Sequence, residues 1–394
     1  MASIKILHAS DLHISLYEQL RSPIDQLHDL ADPWDLSWPG VLEKLPVLES
    51  FLTAWWEKRA ASSYNPEVLE ALAEFIYENA RVKLDQKGIE IHEDGDEKLD
   101  AVVLTGDLAT TGSPDDIDRV VKFLAASSNR KNRHKSNESD YRGATLSAVR
   151  IPILFLPGNH DRFVPTRNLY KKFPIFYYPG GTNFDDELAD YRKFPLRELE
   201  ISTAISGQRK LRVVILAADF TLEAFPDHEG LYGWLAQGRA YSDKRKLLAA
   251  RTKEINDQRT EDEVLCVMWA MHFPPGFPYP MYGTLLGERQ VIREASESGI
   301  HAILAGHTHH QLTYRNPSAN FWIFCCGTSA QHQPLATLTT DNSDLAVGNF
   351  FQVITITVDE GGRVKLAGTD YKYSATRAPL GQRLMRWKAM PSPE

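Results

Sequence analysis

Ala101-Val102-Val103-Leu104-Thr105-Gly106-Asp107 is a short apolar run that stops on a glycine and a carboxylate. Apolar runs of this length, closed by a turn signal, read as strands. The same pattern occurs in four other places. Lys5 to Ala9 leads into Asp11-Leu12-His13, and Ile151 to Leu156 leads into Gly158-Asn159-His160-Asp161. Val264 to Ala270 precedes His272, and Ile300 to Ala305 precedes Gly306-His307-Thr308-His309. Side chains at the carboxyl ends of strands in an α/β sheet converge on one crevice. These strand ends therefore bring carboxylate, imidazole and amide oxygen to one point.

That mixture of donors suits divalent transition metals. Imidazole favours zinc, iron and manganese, while carboxylate and carbonyl oxygens favour manganese-like ions. Asp107 can bridge two ions, one on each oxygen. Two carboxylates against two dications leave a positive site that needs an anion. Paired ions of this kind clamp the attacking and leaving oxygens of an in-line phosphoryl displacement.

In this order the motifs resemble the calcineurin-like metallophosphoesterase family, over the span from Asp11 to His309. The resemblance implies a four-layer αββα sandwich with two mixed β-sheets and a dimetal centre at the strand ends. The residue pattern alone gives a layered α/β domain of mixed sheet. The resemblance also implies the ligand sets. One ion takes Asp11, His13, Asp107 and His309, and the other takes Asp107, Asn159, His272 and His307. His160 is then the acid facing the leaving group, with Asp161 steering its ring. A hydroxide bridging the metals would attack phosphorus in line. Many relatives carry an acidic residue just after Gly-Asp, where this chain reads Leu108-Ala109-Thr110-Thr111-Gly112.

Each motif has an ordinary reading when taken singly. Asp-x-His and Gly-Asp are common where strands turn, and Gly-Asn tolerates positive φ in polar turns. A lone His272 reads as a satisfied core histidine. Gly306-His307-Thr308-His309 is a better signature by itself. If the segment is extended, period-two alternation puts both imidazoles on one side. The joint order outweighs the single readings. His8 reads as a residue that packs or hydrogen-bonds inside the first strand, and His332 as a loop residue.

With 394 residues and 43% apolar content, the chain can build one large α/β domain or two ordinary ones. A formal charge of −8 argues against broad nucleic-acid binding, which needs basic faces. Cys266, Cys325 and Cys326 lack zinc spacing and read as reduced core thiols. Met1 to Leu7 reads as a strand rather than a secretory signal, and a cytoplasmic, membrane-free location is expected.

The expected organisation is a single domain over 1–375, with a helical insertion at about 16–99 and a loop insertion at about 163–195. Residues 376–394 are expected to form a weakly anchored tail. In the first insertion, Asn65-Pro66-Glu67 marks a helix start, followed by Val68, Leu72, Phe75 and Ile76 at helical spacing. Further helices are expected from about Ser113-Pro114, around Ser242 to Asn256 and around Glu288 to Ser298. The polar stretch Ser127 to Arg142 reads as a solvated loop. The aromatic insert after Asp161 and the Phe273-Pro274-Pro275-Gly276-Phe277 loop after His272 are expected to border the pocket.

The functional expectation is a metal-dependent phosphohydrolase using two manganese, iron or zinc ions. A phosphodiesterase acting on a small diester or nucleotide is favoured. The alternatives are a DNA repair-type nuclease, a phosphomonoesterase and a non-catalytic scaffold on the same fold. Leu7-His8-Ala9-Ser10-Asp11-Leu12-His13 suggests the nuclease, since it also resembles the opening of bacterial double-strand-break repair nucleases. The retained metal-ligand and acid positions argue against a scaffold.

Overall fold

The strand runs read from the sequence form two mixed sheets. The computed structural model describes residues 3–14, 65–95, 97–110, 114–124, 144–162, 196–206, 209–221, 238–278, 285–315, 319–330, 348–374 and 387–390. The expected loop insertion at 163–195, the part of the helical insertion before Asn65, the Ser127 to Arg142 stretch and His332 lie outside them.

In the first sheet, β1 (Ser3–Ala9), β4 (Ala101–Thr105) and β5 (Ile153–Leu156) run parallel, with β4 in the middle. On the other side of β1, β12 (Phe350–Val358), β13 (Val364–Tyr373) and β14 (Trp387–Ala389) add on antiparallel. In the second sheet, β7 (Arg209–Ala218), β8 (Glu263–Ala270), β9 (Ala302–Ala305) and β11 (Trp322–Cys325) are parallel neighbours. Antiparallel β6 (Leu196–Ser206) and β10 (Leu312–Arg315) form its edges. A small hairpin joins β2 (Val82–Leu84) and β3 (Glu90–His92).

Continuous apolar runs form these strands because both faces of each sheet are covered. In β7, Val213, Ile215 and Ala217 point into the core shared by the two sheets, while Val214, Leu216 and Ala218 point the other way. Strand β8 alternates likewise, with Cys266, Met268 and Ala270 on the shared side and Val267 and Trp269 opposite. Helices α1 (Pro66–Asn79) and α2 (Pro114–Leu124) contribute to the first core. Helices α3 (Ser242–Asp257) and α4 (Glu288–Glu297) cover the far side of the second sheet through Leu248, Ile255, Val291 and Ala295. The result is the four-layer αββα sandwich.

The segment after β11 stitches the sheets together. Ser10, just beyond β1, bridges to Thr328, and the Ser329 hydroxyl accepts from the Ser10 N–H at 3.1 Å and donates to the Phe350 carbonyl at 2.7 Å. This stitch lies one residue before Asp11, so it fixes where the first ligand loop begins.

Sequence patterning missed β6, β10 and β13. In β13 the side chains are half-buried or exposed, so no apolar run marks it. The expected weak anchoring of 376–394 does not describe 387–389. Trp387 is 4% exposed and packs its ring 4.7 Å from that of Phe351, which fixes β14 as an outer strand. Among the described residues, no helix is long and apolar enough to cross a membrane.

Helix α1 begins where the sequence places it. The Asn65 side chain accepts from the backbone N–H groups of Glu67 and Val68 at 3.0 and 3.4 Å, and Pro66 occupies the first turn. The helix buries Val68, Leu72 and Ile76, while Phe75 packs on Phe351 and Tyr371. Removing the cap leaves two helix-end donors without this acceptor. Asn65→Ala should therefore destabilise the protein by about 0.5–2 kcal/mol. Chemical denaturation would show this as a lower midpoint with an unchanged slope.

Candidate metal centre

Two loops at the strand ends form the floor of the site. The loop after β1 pairs with the loop after β4. Asp11 donates its N–H to the Gly106 carbonyl at 3.0 Å, and His13 donates to the Asp107 carbonyl at 3.0 Å. Ile14 donates to Leu108 at 2.8 Å, and Thr110 returns a bond to Ile14 at 3.0 Å. These bonds hold the loops while their backbones turn sharply. Asp11, His13, Asp107, His307 and His309 have φ between 49° and 68°, and no other non-glycine residue among those described has positive φ. Left-handed backbone costs an L-residue about 1–2 kcal/mol. Such strain concentrates at functional sites, where the surroundings over-determine it.

The turns bring the seven expected ligand positions together. Asp11, His13, Asp107 and His309 have ligand atoms within 4.8 Å of one another, as do Asp107, His272 and His307. Asn159 joins the second group, its Oδ1 lying 3.0 Å from His272 Nε2 and 3.1 Å from His307 Nδ1. Asp107 belongs to both groups. His309 Nε2 lies 3.3 Å from Asp11 Oδ1 and 3.4 Å from His13 Nε2, and His272 Nε2 lies 3.3 Å from Asp107 Oδ2.

The donor set fits cations. Asp11 Oδ1 is buried and has no hydrogen-bond partner. An uncompensated carboxylate oxygen in such a place is costly. Burial opposes a charge on His272, yet Asp107, and then Asp11, carry its pKa up to about 9. Burial would raise the Asp107 carboxyl, but the charges of His272 and His160 hold it well below the usual carboxylate range. Burial pushes His13 well below the ordinary histidine value, and His160 adds to that. The two carboxylates thus favour positive charge at His272 against the pull of burial.

Hydrogen bonds to backbone carbonyls aim the His272 and His160 rings. His272 Nδ1 lies 2.7 Å from the Thr105 carbonyl. A carbonyl only accepts, so Nδ1 carries the proton and Nε2 faces the group. His160 lies just outside the two groups, its ring edge-on to His13 with centroids 4.7 Å apart. Its backbone N–H donates to Asp107 Oδ1 at 2.8 Å, and its Nδ1 donates to the Thr110 carbonyl at 2.9 Å.

Three expectations are corrected here. First, Asp161 does not steer the His160 ring. Its carboxylate accepts the backbone N–H groups of Gly158, Leu108 and Ala109 at 2.7, 3.1 and 2.6 Å. Asp161 therefore clamps the Asp107 loop to the Asn159 loop, and the Thr110 carbonyl holds the ring. Burial, then the neighbouring Asp107 charge, push the Asp161 carboxyl up to about 7, against the pull of its three donors.

Second, His307 and His309 do not share a side through strand alternation. Both are left-handed, and each turns into a different group. Third, within the loop expected to border the pocket, Phe273 faces inward behind a candidate ligand rather than open space. It is fully buried, with its ring 4.4 Å from that of His307, and it lies against Gly238, where a Cβ would stand 2.1 Å from the Phe273 ring. Phe273 supports His307 from behind.

Sequence reasoning also missed the work of the glycines. A Cβ on Gly158 would stand 2.1 Å from Asp107 Oδ1, and one on Gly306 would stand 1.8 Å from Ser10 Oγ. A Cβ on Gly106, which has φ 101°, would stand 2.5 Å from His272 Nδ1. The motifs carry glycine because the backbone must touch the ligand side chains. The glycines directly before Asp107, Asn159 and His307 were the available signal.

The calcineurin-like phosphoesterase profile matches residues 4–311. The chain belongs to that family, whose members are in general metal-dependent phosphoester hydrolases. No curated protein matches the sequence. Among solved structures, the chain is similar to GAP50, described as the anchor in the inner membrane complex of Plasmodium. That match has 9% identity and a TM-score of 0.48, covering 97% of this chain and 88% of the other. It is also similar to a dimetal phosphatase from Danio rerio, at 12% identity and a TM-score of 0.46, covering 93% and 95%. A putative 5'-nucleotidase from Staphylococcus aureus matches at 12% identity and a TM-score of 0.35, covering 93% of this chain and 53% of that one. The assignment rests on the family match rather than on these likenesses.

The contact at Gly158 can be tested alone. Gly158→Ala should displace the Asp107 carboxylate and weaken metal uptake by about 10–100-fold, the usual effect of disturbing a ligand's support. Far-ultraviolet circular dichroism should stay unchanged, while metal titration of the purified protein reports the loss.

Proposed function

We propose that this protein is a dinuclear metal-dependent phosphodiesterase acting on a small phosphodiester, a nucleotide among the candidates. The observation that carries the reading is the convergence of seven ligand-type side chains on two overlapping groups that share Asp107. In this reading Asp11, His13, Asp107 and His309 hold one ion, and Asp107, Asn159, His272 and His307 hold the other. When bound, such an ion pair supplies Lewis acidity to the phosphate oxygens and acidifies a water towards neutral pH.

The chain's own residues do the rest. Asp107 and Asp11 set the charge of the site, burial favours a neutral donor at His13, and a proton at His272 would have to leave as an ion entered. His160 stands beside the first group with Nδ1–H tied to the Thr110 carbonyl. Nε2 is therefore the nitrogen that can carry a second proton towards a leaving oxygen. A carbonyl partner fixes the ring without adding the negative charge of a carboxylate. Asp161 keeps the Asp107 and Asn159 loops in register through its three backbone donors. A positioned leaving-group acid suits an ester whose departing alkoxide needs a proton.

The test is a hydrolysis screen of metal-reconstituted protein against small diesters and the matching monoesters. Diester turnover should exceed monoester turnover, and the reverse order would make the protein a phosphomonoesterase. His160→Ala should keep both ions yet slow turnover by roughly 10²–10⁴. The slowing should shrink for esters with acidic leaving groups. If His160→Ala instead strips an ion, His160 is a ligand and its assignment as the acid is wrong.

A further inference from the structure

A row of polar side chains crosses the otherwise apolar space between the two sheets, directly behind the candidate ligands. His8 on β1, Gln352 on β12 and Asp370 on β13 are direct cross-strand neighbours. Thr105 of β4 continues the row on one side, its Oγ1 2.9 Å from His8 Nε2. From the second sheet, Gln311 and Thr313 meet it at the other end. Gln311 Nε2 donates to Asp370 Oδ1 at 2.8 Å, and Gln352 Nε2 donates to Asp370 Oδ1 at 2.9 Å and to Thr313 Oγ1 at 3.0 Å. Thr105, His8 and Gln352 are completely buried.

The protons in this row can have only one arrangement. The Asp370 carboxylate accepts only, so both glutamines must turn their amide nitrogens towards it. Gln352 Oε1 is then an acceptor, and His8 Nδ1, at 3.4 Å, is its donor. Burial lowers the His8 pKa to about 4, which keeps the ring neutral with a single proton. Its Nε2 must accept, and the Thr105 hydroxyl donates to it. Gln311 Oε1 accepts the Gly327 N–H at 3.0 Å. Every link thus has its donor and acceptor, and the polarity is set from the Asp370 end.

The ends of the row lie next to the ligands. His8 is three residues before Asp11, and Thr105 is two before Asp107. The Thr105 carbonyl receives His272 Nδ1. Gln311 is two residues after His309. Each candidate ion group draws ligands from both sheets. The spacing of the sheets along this row therefore sets the spacing of the ligands. Hydrophobic contact is not directional, so the row adds directional bonds that apolar packing lacks.

We propose that the Thr105–His8–Gln352–Asp370–Gln311 row is a cross-sheet clamp, and that these are positioning residues for the metal centre. The inference rests on the metal-binding reading given above. Asp370 is the member to change, because it is half-buried and joins the sheets through one oxygen. Asp370→Asn keeps an oxygen for both amide donors, while Asp370→Leu removes it.

The experiment titrates metal-free protein with manganese, reading stoichiometry and affinity directly by equilibrium dialysis. Thermal unfolding of each metal-free variant is followed in parallel. Wild type and Asp370→Asn should bind two ions with equal affinity. Asp370→Leu should weaken at least one ion by about 10–100-fold, the usual effect of losing an outer-shell partner. Gln311→Leu breaks the same link from the other sheet and should do likewise, even if Asp370→Leu fails to fold. Asn65→Ala, which removes a helix cap but no member of the row, should bind both ions normally. The clamp is refuted if folded Asp370→Leu and Gln311→Leu bind both ions as tightly as wild type, or if Asp370→Asn is as damaging as Asp370→Leu. A wild-type chain that binds no ion pair would sink the metal reading itself, and the clamp with it.

Discussion

The structure depends on one buried carboxylate. Asp107 is 1% exposed, belongs to both ligand groups, and lies where the two sheets meet. Its Oδ1 takes the His160 N–H, and its Oδ2 faces His272 Nε2. Gly158 must lack a side chain to let it fit. An ionised carboxylate is too costly to bury without compensating charge. Around Asp107 that compensation comes from imidazoles on both sheets, and the same imidazoles are poised to hold ions. The demand of one charge thus organises loops from β1, β4, β5, β8 and β9.

Backbone strain records the same demand. Among the described residues, the non-glycine residues forced into left-handed conformation are all candidate ligands. The scaffold holds them there by pairing the Asp11 and Asp107 loops through backbone bonds, and by fastening the Asn159 loop through Asp161. Apolar packing supplies the sandwich, but hydrogen bonds aim the His272 and His160 rings. Phe273 is the exception, an aromatic side chain that backs His307 and is itself seated by Gly238.

Much of this was legible in the sequence because strands that are buried on both faces announce themselves. Strands β1, β4, β5, β8 and β9 contain the short apolar runs, and the ligand motifs sit at their ends. The cap at Asn65 was equally plain, since Asn-Pro fixes a helix start locally. Strand β13 was silent because a half-buried outer strand shows no apolar run. Within the site, residue types and positions could be read, but not how their backbones turn. Period-two alternation misjudged His307 and His309, because left-handed residues break the period. The partners of His160 and Asp161 were likewise hidden. Backbone groups of Thr110, Gly158, Leu108 and Ala109 make those bonds, and backbone groups leave no mark on residue identity.

The most direct test of the account is a crystal structure of the manganese-loaded protein with anomalous scattering recorded. Two anomalous peaks are predicted on either side of the Asp107 carboxylate, one contacted by Asp11, His13 and His309 and the other by Asn159, His272 and His307. A single peak, or peaks that leave Asp107 without a metal contact, would contradict the account.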